Sequence, residues 1–177
     1  MRYAAYGSNL HPVRLARRIA SARLIGTTYL PDWSLRFHKR SVDASGKCSI
    51  QQGSSGVHFA IYDISEADKQ ILDGIEGAGS GYSEISLVMP AYGRCFSYTA
   101  SETYIDDTLE PYDWYRALVL AGARLLAFPK DYVSAIAGVS ACRDPEPARH
   151  QEMWDLVDLI QVQGLHLPSE SITSPAE

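Results

Sequence analysis

Glu110-Pro111 divides this chain into two kinds of sequence. Upstream, apolar residues recur in short runs separated by clusters of Gly, Ser, Asn and Pro. Downstream, they recur at helical spacing. Val57 to Ile64 is the clearest upstream run, with Val57, Phe59 and Ile61 alternating against His58, Ala60 and Tyr62, the period of a strand. Tyr3 to Tyr6, Ala22 to Arg40 (turned or bulged at Pro31-Asp32), Tyr82 to Met89 and Arg94 to Tyr104 are expected strands as well. Asp43 to Gly56, rich in Ser and Gly, is expected to be a loop. Two helices interrupt the strands. The first spans about Leu10 to Ala20, with Asn9 as N-cap and Pro12 in the first turn. Because the residue before a proline resists helical angles, its start is allowed to slip to Pro12. Val13, Leu15, Ala16 and Ile19 should face inward, and Arg14, Arg17 and Arg18 outward. The second opens at Ser65-Glu66-Ala67-Asp68, a capping-box-like start, and should bury Ile71, Leu72 and Ile75. Helices are then expected at about Pro111 to Ala127, Lys130 to Ala137 and Glu146 to Gln161. Strands first and helices last is an α+β pattern, a sheet or small mixed β-barrel flanked by helices with a helical C-terminal part.

At 177 residues the chain has the size of one domain and can bury a core without staples. No repeat or linker interrupts it, so residues 1–166 are expected to form a single domain and 167–177, with Pro168 and Pro175, a polar frayed tail. Sixteen basic against twenty-one acidic residues leave a net charge of −5, a field that disfavours nucleic acid. The most apolar helix candidate, Ala117 to Phe128, is interrupted by Gly122 and Arg124, so no membrane span is expected. Cys48, Cys95 and Cys142 show no CxxC or Cys/His spacing, which supports neither a disulfide framework nor a zinc site. They read as small buried or half-buried hydrophobes. Neither GxGxxG nor a P-loop is present, nor a nucleophile elbow, and no metal or cofactor is expected. Met1-Arg2-Tyr3 enters structure without an apolar h-region, so the expected location is cytoplasmic, for an enzyme or a binding domain.

Two places invite chemistry. At Tyr6-Gly7-Ser8-Asn9 a strand gives way to a helix, leaving backbone N–H groups at a positive helix end, suited to a carboxylate or phosphate. A capped turn without further role fits the same residues. Glu76 ends an amphipathic helix before Gly77, Gly79 and Gly81, three glycines in five residues that favour turns. A carboxylate there faces the negative end of the helix dipole, which tends to raise its pKa and suits a general base. A surface glutamate before a flexible loop is the competing interpretation. His58, inside an apolar strand, reads as a core or rim histidine, and Tyr112, Trp114 and Tyr115 mainly as packing.

Taken as a set, several blocks resemble the γ-glutamylcyclotransferase family. Tyr3-Ala4-Ala5-Tyr6-Gly7-Ser8-Asn9-Leu10 is similar to its opening strand and Tyr-Gly-Ser-Asn loop. Arg18, Ala22-Arg23-Leu24 and Leu30-Pro31-Asp32-Trp33-Ser34-Leu35-Arg36-Phe37 resemble its second block. Leu72-Asp73-Gly74-Ile75-Glu76-Gly77 with Gly81-Tyr82 resembles the block carrying the family's catalytic glutamate. Pro111 and Tyr115, Gly122-Ala123, and Pro129 with Tyr132 resemble its C-terminal block. The match spans roughly residues 2 to 137, in order. One departure stands out: His58-Phe59 occupies the position where family members commonly carry Trp-Gly, and Phe59 adds bulk there. The resemblance implies a small mixed β-barrel with the loop and the glutamate at its mouth. It implies conversion of a small γ-glutamyl compound to 5-oxoproline, with an amine or amino acid released and no cofactor. Glu76 would be the acid–base group, and Tyr6, Gly7, Ser8, Asn9, Leu10, Tyr82 and Tyr115 would bind substrate. A non-catalytic binding or interaction domain on the same fold is the alternative.

Overall fold

In the computed structural model, residues 1–166 are described. In chain order they form β1 (Arg2–Ala5), α1 (Pro12–Ala16), β2 (Arg23–Leu30), β3 (Trp33–Arg40), β4 (Gly46–Gln52), β5 (Val57–Asp63), α2 (Glu66–Glu76), β6 (Tyr82–Met89), β7 (Gly93–Ala100), α3 (Asp113–Leu125), α4 (Lys130–Ala137) and α5 (Pro147–Gly164). The expected polar tail, 167–177, lies outside the described residues. The α+β order read from the sequence holds, and no helix among the described residues is long and apolar enough to cross a membrane.

Five strands form one sheet in the order β2-β5-β1-β7-β6. All contacts are antiparallel except β1 with β7, which run parallel. Burial explains the composition of the central strands: Ala4, Ala5, Phe59, Ala60, Ile61 and Tyr62 are fully enclosed. β3 and β4 make a separate two-stranded hairpin. The sheet is therefore not closed into a barrel, contrary to expectation. Where a closing ladder would run, side-chain hydroxyls span the gap between β4 and β7. Ser49 Oγ accepts from the Ala100 amide at 2.8 Å, and Thr99 Oγ1 donates to the Ile50 carbonyl at 2.7 Å. These bonds hold the hairpin against the sheet without bringing the two backbones into register.

β4 itself was expected to be loop. Its Ser and Gly content reflects those cross-links: Cys48 and Ile50 are buried, and Ser49 is satisfied across the gap. Pairing with β3, from Trp33 opposite Gln52 to Arg40 opposite Gly46, overrides the weak local preference.

The helices also depart from expectation in instructive ways. Pro12 opens α1, so the helix is five residues long and a 3₁₀ turn, Ser8–Leu10, precedes it. Leu15 and Ile19 are buried as expected, but Ala16 is exposed and Arg14 is buried. Asn9 does not cap α1, which has no side-chain cap. In α2, Ser65 Oγ accepts from the Asp68 amide at 3.1 Å, the expected cap. Of the three residues expected to be buried only Leu72 is; Ile71 and Ile75 are 52% and 40% exposed. The sheet-facing side is taken by polar groups instead. Tyr98 OH donates to Asp73 Oδ1 at 2.6 Å, and the Lys69 ammonium lies 5.1 Å from the Phe96 ring centre. α3 buries Trp114, Tyr115, Leu118 and Val119 against the 3₁₀ turn, α4 and α5. α5 is tied in by Asp144, which accepts from Trp114 Nε1 at 2.9 Å and from Arg149 Nε at 2.6 Å. Cys48 and Cys95 are buried; Cys142 is exposed, and all three are free thiols.

Candidate active site

β1 delivers the chain into the turn at Gly7-Ser8-Asn9, which closes when the Leu10 amide donates to the Gly7 carbonyl at 3.0 Å. Gly7 has to be small: a Cβ there would sit 2.9 Å from Cys48 Cβ on β4. Among the described residues, the amides of Gly7, Ser8 and Asn9 have no backbone or side-chain acceptor. Gly77, at φ +64°, ends α2 in the left-handed conformation and leaves Glu76 as its last residue.

The two elements meet through side chains. Asn9 Nδ2 donates to Glu76 Oε1 at 2.9 Å and lies 3.2 Å from the Tyr3 hydroxyl. Arg18 Nη1 donates to Asn9 Oδ1 at 3.1 Å and stands 3.8 Å from Glu76 Oε1. Asn9 thus aims the carboxylate, and Arg18 aims Asn9. The Glu76 side chain is only 17% exposed, so the surface-glutamate interpretation does not describe it. Burial pushes its carboxyl pKa up; Arg18, the Asn9 bond, Arg14 and Lys39 pull down without cancelling that. The helix-end dipole anticipated from the sequence acts in the same direction as the dominant cause, desolvation.

Five tyrosines wall a small cavity beside Glu76: Tyr3, Tyr6, Tyr82, Tyr98 and Tyr115. Its volume is about 30 Å³. Tyr6 OH donates to the Tyr98 carbonyl at 2.6 Å, and Tyr82 OH to the Cys48 carbonyl at 2.7 Å. Those two protons are committed. Tyr115 OH accepts from the Cys48 amide at 3.0 Å and Tyr3 OH accepts from Asn9, so each keeps its own hydrogen to donate. Burial holds all five phenols above their ordinary pKa and pushes the Cys48 thiol up to about 12, so the wall is neutral.

Past Glu76 the cavity opens into a vestibule of about 270 Å³, sharing Ser8, Glu76, Tyr82 and Tyr115 with it. Arg14, Arg18, Lys39 and Lys47 line this outer space. Among the described residues no group of three His, Cys, Asp or Glu side chains converges to hold a metal.

Of the residues singled out in the sequence, Tyr6, Gly7, Ser8, Asn9, Glu76, Tyr82 and Tyr115 line one cavity. Leu10 does not. It is fully buried behind the turn, and its carbonyl accepts from Tyr62 OH at 2.7 Å. Phe59 lies beneath the wall, edge-on to the Tyr6 ring at 5.9 Å and outside the cavity lining. His58 faces away, among Tyr29, Phe128 and Tyr132 in an apolar groove. Sequence reasoning passed over Tyr3, Tyr98, Cys48, Arg14, Arg18, Lys39 and Lys47. For Arg14 and Arg18 a signal existed, since an i, i+4 spacing puts both on one face of the expected Leu10–Ala20 helix, although the observed α1 ends at Ala16 and the turn after it carries Arg18. Tyr98, Cys48, Lys39 and Lys47 had none, because strands distant in sequence supply them, whereas Tyr3 lies on β1 itself.

No family model and no curated protein matches the sequence. Solved structures do match. A γ-glutamyl cyclotransferase superposes with a TM-score of 0.78 over 90% of this chain and 98% of its own, at 23% identity. A human protein described as uncharacterized gives a TM-score of 0.77 over 89% and 97%, at 24% identity. YkqA from Bacillus subtilis gives 0.68 over 80% of this chain and 56% of its own, at 17% identity. The chain therefore has a γ-glutamylcyclotransferase-like fold.

Proposed function

We propose that the chain cyclises a γ-glutamyl compound to 5-oxoproline and releases an amine or amino acid, with Glu76 as the acid–base group. The observation that supports this is the aimed, largely buried Glu76 carboxylate beside the open amides of Gly7–Asn9, at the mouth of a neutral tyrosine cavity.

In this reaction the substrate's α-nitrogen attacks its own γ-carbonyl carbon. The new C–N bond closes a five-membered ring, and the old amide C–N bond breaks. The α-ammonium loses two protons, and both end on the leaving nitrogen, which departs as an ammonium. Glu76 takes a proton from the nucleophile and returns one to the leaving group. A carboxyl raised by burial suits this task, since an acid–base group works best with its pKa near the operating pH. The roughly 7–11 kcal/mol by which an intramolecular reaction outruns a bimolecular one is already present in the substrate, and the protein's part is to select its near-attack conformer. The amides of Gly7, Ser8 and Asn9 would bind the α-carboxylate or the oxyanion, an oxyanion contact being worth about 3 kcal/mol. Tyr6 and Tyr82 act as fixed walls, while Tyr3 and Tyr115 retain protons to donate.

One observation favours a non-catalytic domain: the inner cavity, at about 30 Å³, is far below the roughly 300–1,000 Å³ of ordinary ligand pockets. Catalysis then requires the glutamyl group to extend into the vestibule or the tyrosines to part. The discriminating experiment is chromatographic detection of 5-oxoproline over a panel of γ-glutamyl compounds, with chelator present. Release from at least one is expected. Binding without release from any would establish the alternative, and activity lost to chelator but restored by zinc would reject the cofactor-free scheme.

A further inference from the structure

The vestibule carries four cations in a chain whose net charge is −5. Two of them are occupied. Lys47 Nζ bonds Asp43 Oδ2 at 2.7 Å, and Arg18 is engaged with Asn9 and Glu76. The other two are not: among the described residues Arg14 and Lys39 make no ion pair and no side-chain hydrogen bond. Arg14 is 7% exposed, and its Nε is buried without a partner. An unpaired guanidinium so enclosed is costly, and a fold retains one where something else supplies the countercharge. Lys39 Nζ lies over aromatic faces, 4.7 Å from the Tyr82 ring centre and 5.7 Å from that of Tyr104. Such contacts compensate an ammonium only in part. Glu76 attracts both cations through space, and Asp43 attracts Lys39, but neither carboxylate forms an ion pair with them.

Glu76 lies on the boundary between the inner cavity and the vestibule. With the tyrosines parted to admit the glutamyl group, a bond broken at Glu76 divides the substrate there, the neutral tyrosine cavity on one side and the cations on the other. We infer that the group leaving into the vestibule carries two negative charges, as in a dicarboxylic amino acid or an acidic peptide, matched to Arg14 and Lys39. This rests on the γ-glutamyl reading of Glu76. Trp114, Ile75 and Met153 supply the apolar wall along which the stem of such a group would lie.

The test compares γ-glutamyl-glutamate, γ-glutamyl-alanine and γ-glutamyl-methylamide, whose leaving groups carry two, one and no carboxylates. 5-Oxoproline release is measured on the wild type and equilibrium binding, by calorimetry, on Glu76→Gln. Both kcat/KM and affinity should fall in that order, by about tenfold per charge lost, as expected for pairs between the exposed and buried limits. High salt should narrow the spread. Lys39→Met and Arg14→Met should each reduce the preference for γ-glutamyl-glutamate over γ-glutamyl-methylamide by about tenfold. Lys39→Met serves as the informative variant if Arg14→Met does not fold. Equal handling of all three compounds, with 5-oxoproline released, would overturn the charge selection and leave the cyclisation standing. Charge-graded binding without 5-oxoproline would reject the cyclisation and keep the acidic ligand class. No binding of any compound would refute both.

Discussion

Replacing Glu76 by Gln removes one transferable proton and changes little else. The Gln amide oxygen can still accept from Asn9 Nδ2, which now stands 2.9 Å from Glu76 Oε1. The side chain keeps its volume in a site where it is only 17% exposed. If Glu76 is the acid–base group, turnover should fall by about 10²–10⁴-fold, with affinity for substrate nearly unchanged. A hundredfold loss corresponds to about 2.7 kcal/mol of barrier. Stability should move the other way. Burial raises the carboxyl pKa above its unfolded value, outweighing Arg18, Asn9, Arg14 and Lys39. The contribution of this group is then fully present below the unfolded pKa and is lost as pH rises through the folded one. Above the folded pKa the wild type holds a desolvated charge that Gln lacks, so there the variant should melt at the same temperature or higher. That advantage should shrink as pH falls into the ordinary carboxylate range. Quantified 5-oxoproline release, calorimetric binding and melting curves at several pH values read all three quantities. A variant that folds, binds and turns over at the wild-type rate would refute the assignment.

Asn9→Ala should cost about 1–3 kcal/mol, because Asn9 is buried and its loss strands the Tyr3 hydroxyl and Glu76. It should also shift the acid limb of the kcat/KM profile to higher pH, since the Asn9 bond holds the Glu76 pKa down; an unmoved limb would contradict that role. Gly7→Ala places a Cβ 2.9 Å from Cys48 Cβ and should lower stability by about 1–3 kcal/mol in chemical denaturation, whereas an unchanged midpoint would show that the loop yields freely. Asp144→Asn should lower the melting temperature at pH 7. Arg149 beside it, with the Glu146 amide and Trp114, holds the Asp144 carboxyl far below the usual range. That stabilisation is present above the unfolded pKa and lost as pH falls through the folded one, so wild type and variant should converge only in strong acid.

Local sequence carried a good deal of this protein. Strand alternation placed β5, Ser65 set the start of α2, and α4 spans the residues that its periodicity indicated. Gly77 stops α2 at Glu76 because only a residue tolerant of positive φ reverses the chain there without strain. The Gly7–Asn9 turn is legible for a similar reason, a strand running into a polar cluster and then Pro12.

Tertiary contacts decided the rest. β4 is a strand because β3 and the Ser49 and Thr99 hydroxyls hold it, and those same hydroxyls leave the sheet open where a barrel was expected. Ile71 and Ile75 face solvent because Tyr98 and Phe96, from another strand, draw Asp73 and Lys69 onto the inner face of α2. Asn9 gave up the helix cap to bond Glu76, sixty-seven residues away. Residue type and local backbone preference, which are properties of short segments, were enough to mark the carboxylate and the turn. Which residues are buried together, which charges find partners and what chiefly raises the Glu76 pKa depend on desolvation and distance, and only the folded chain sets those.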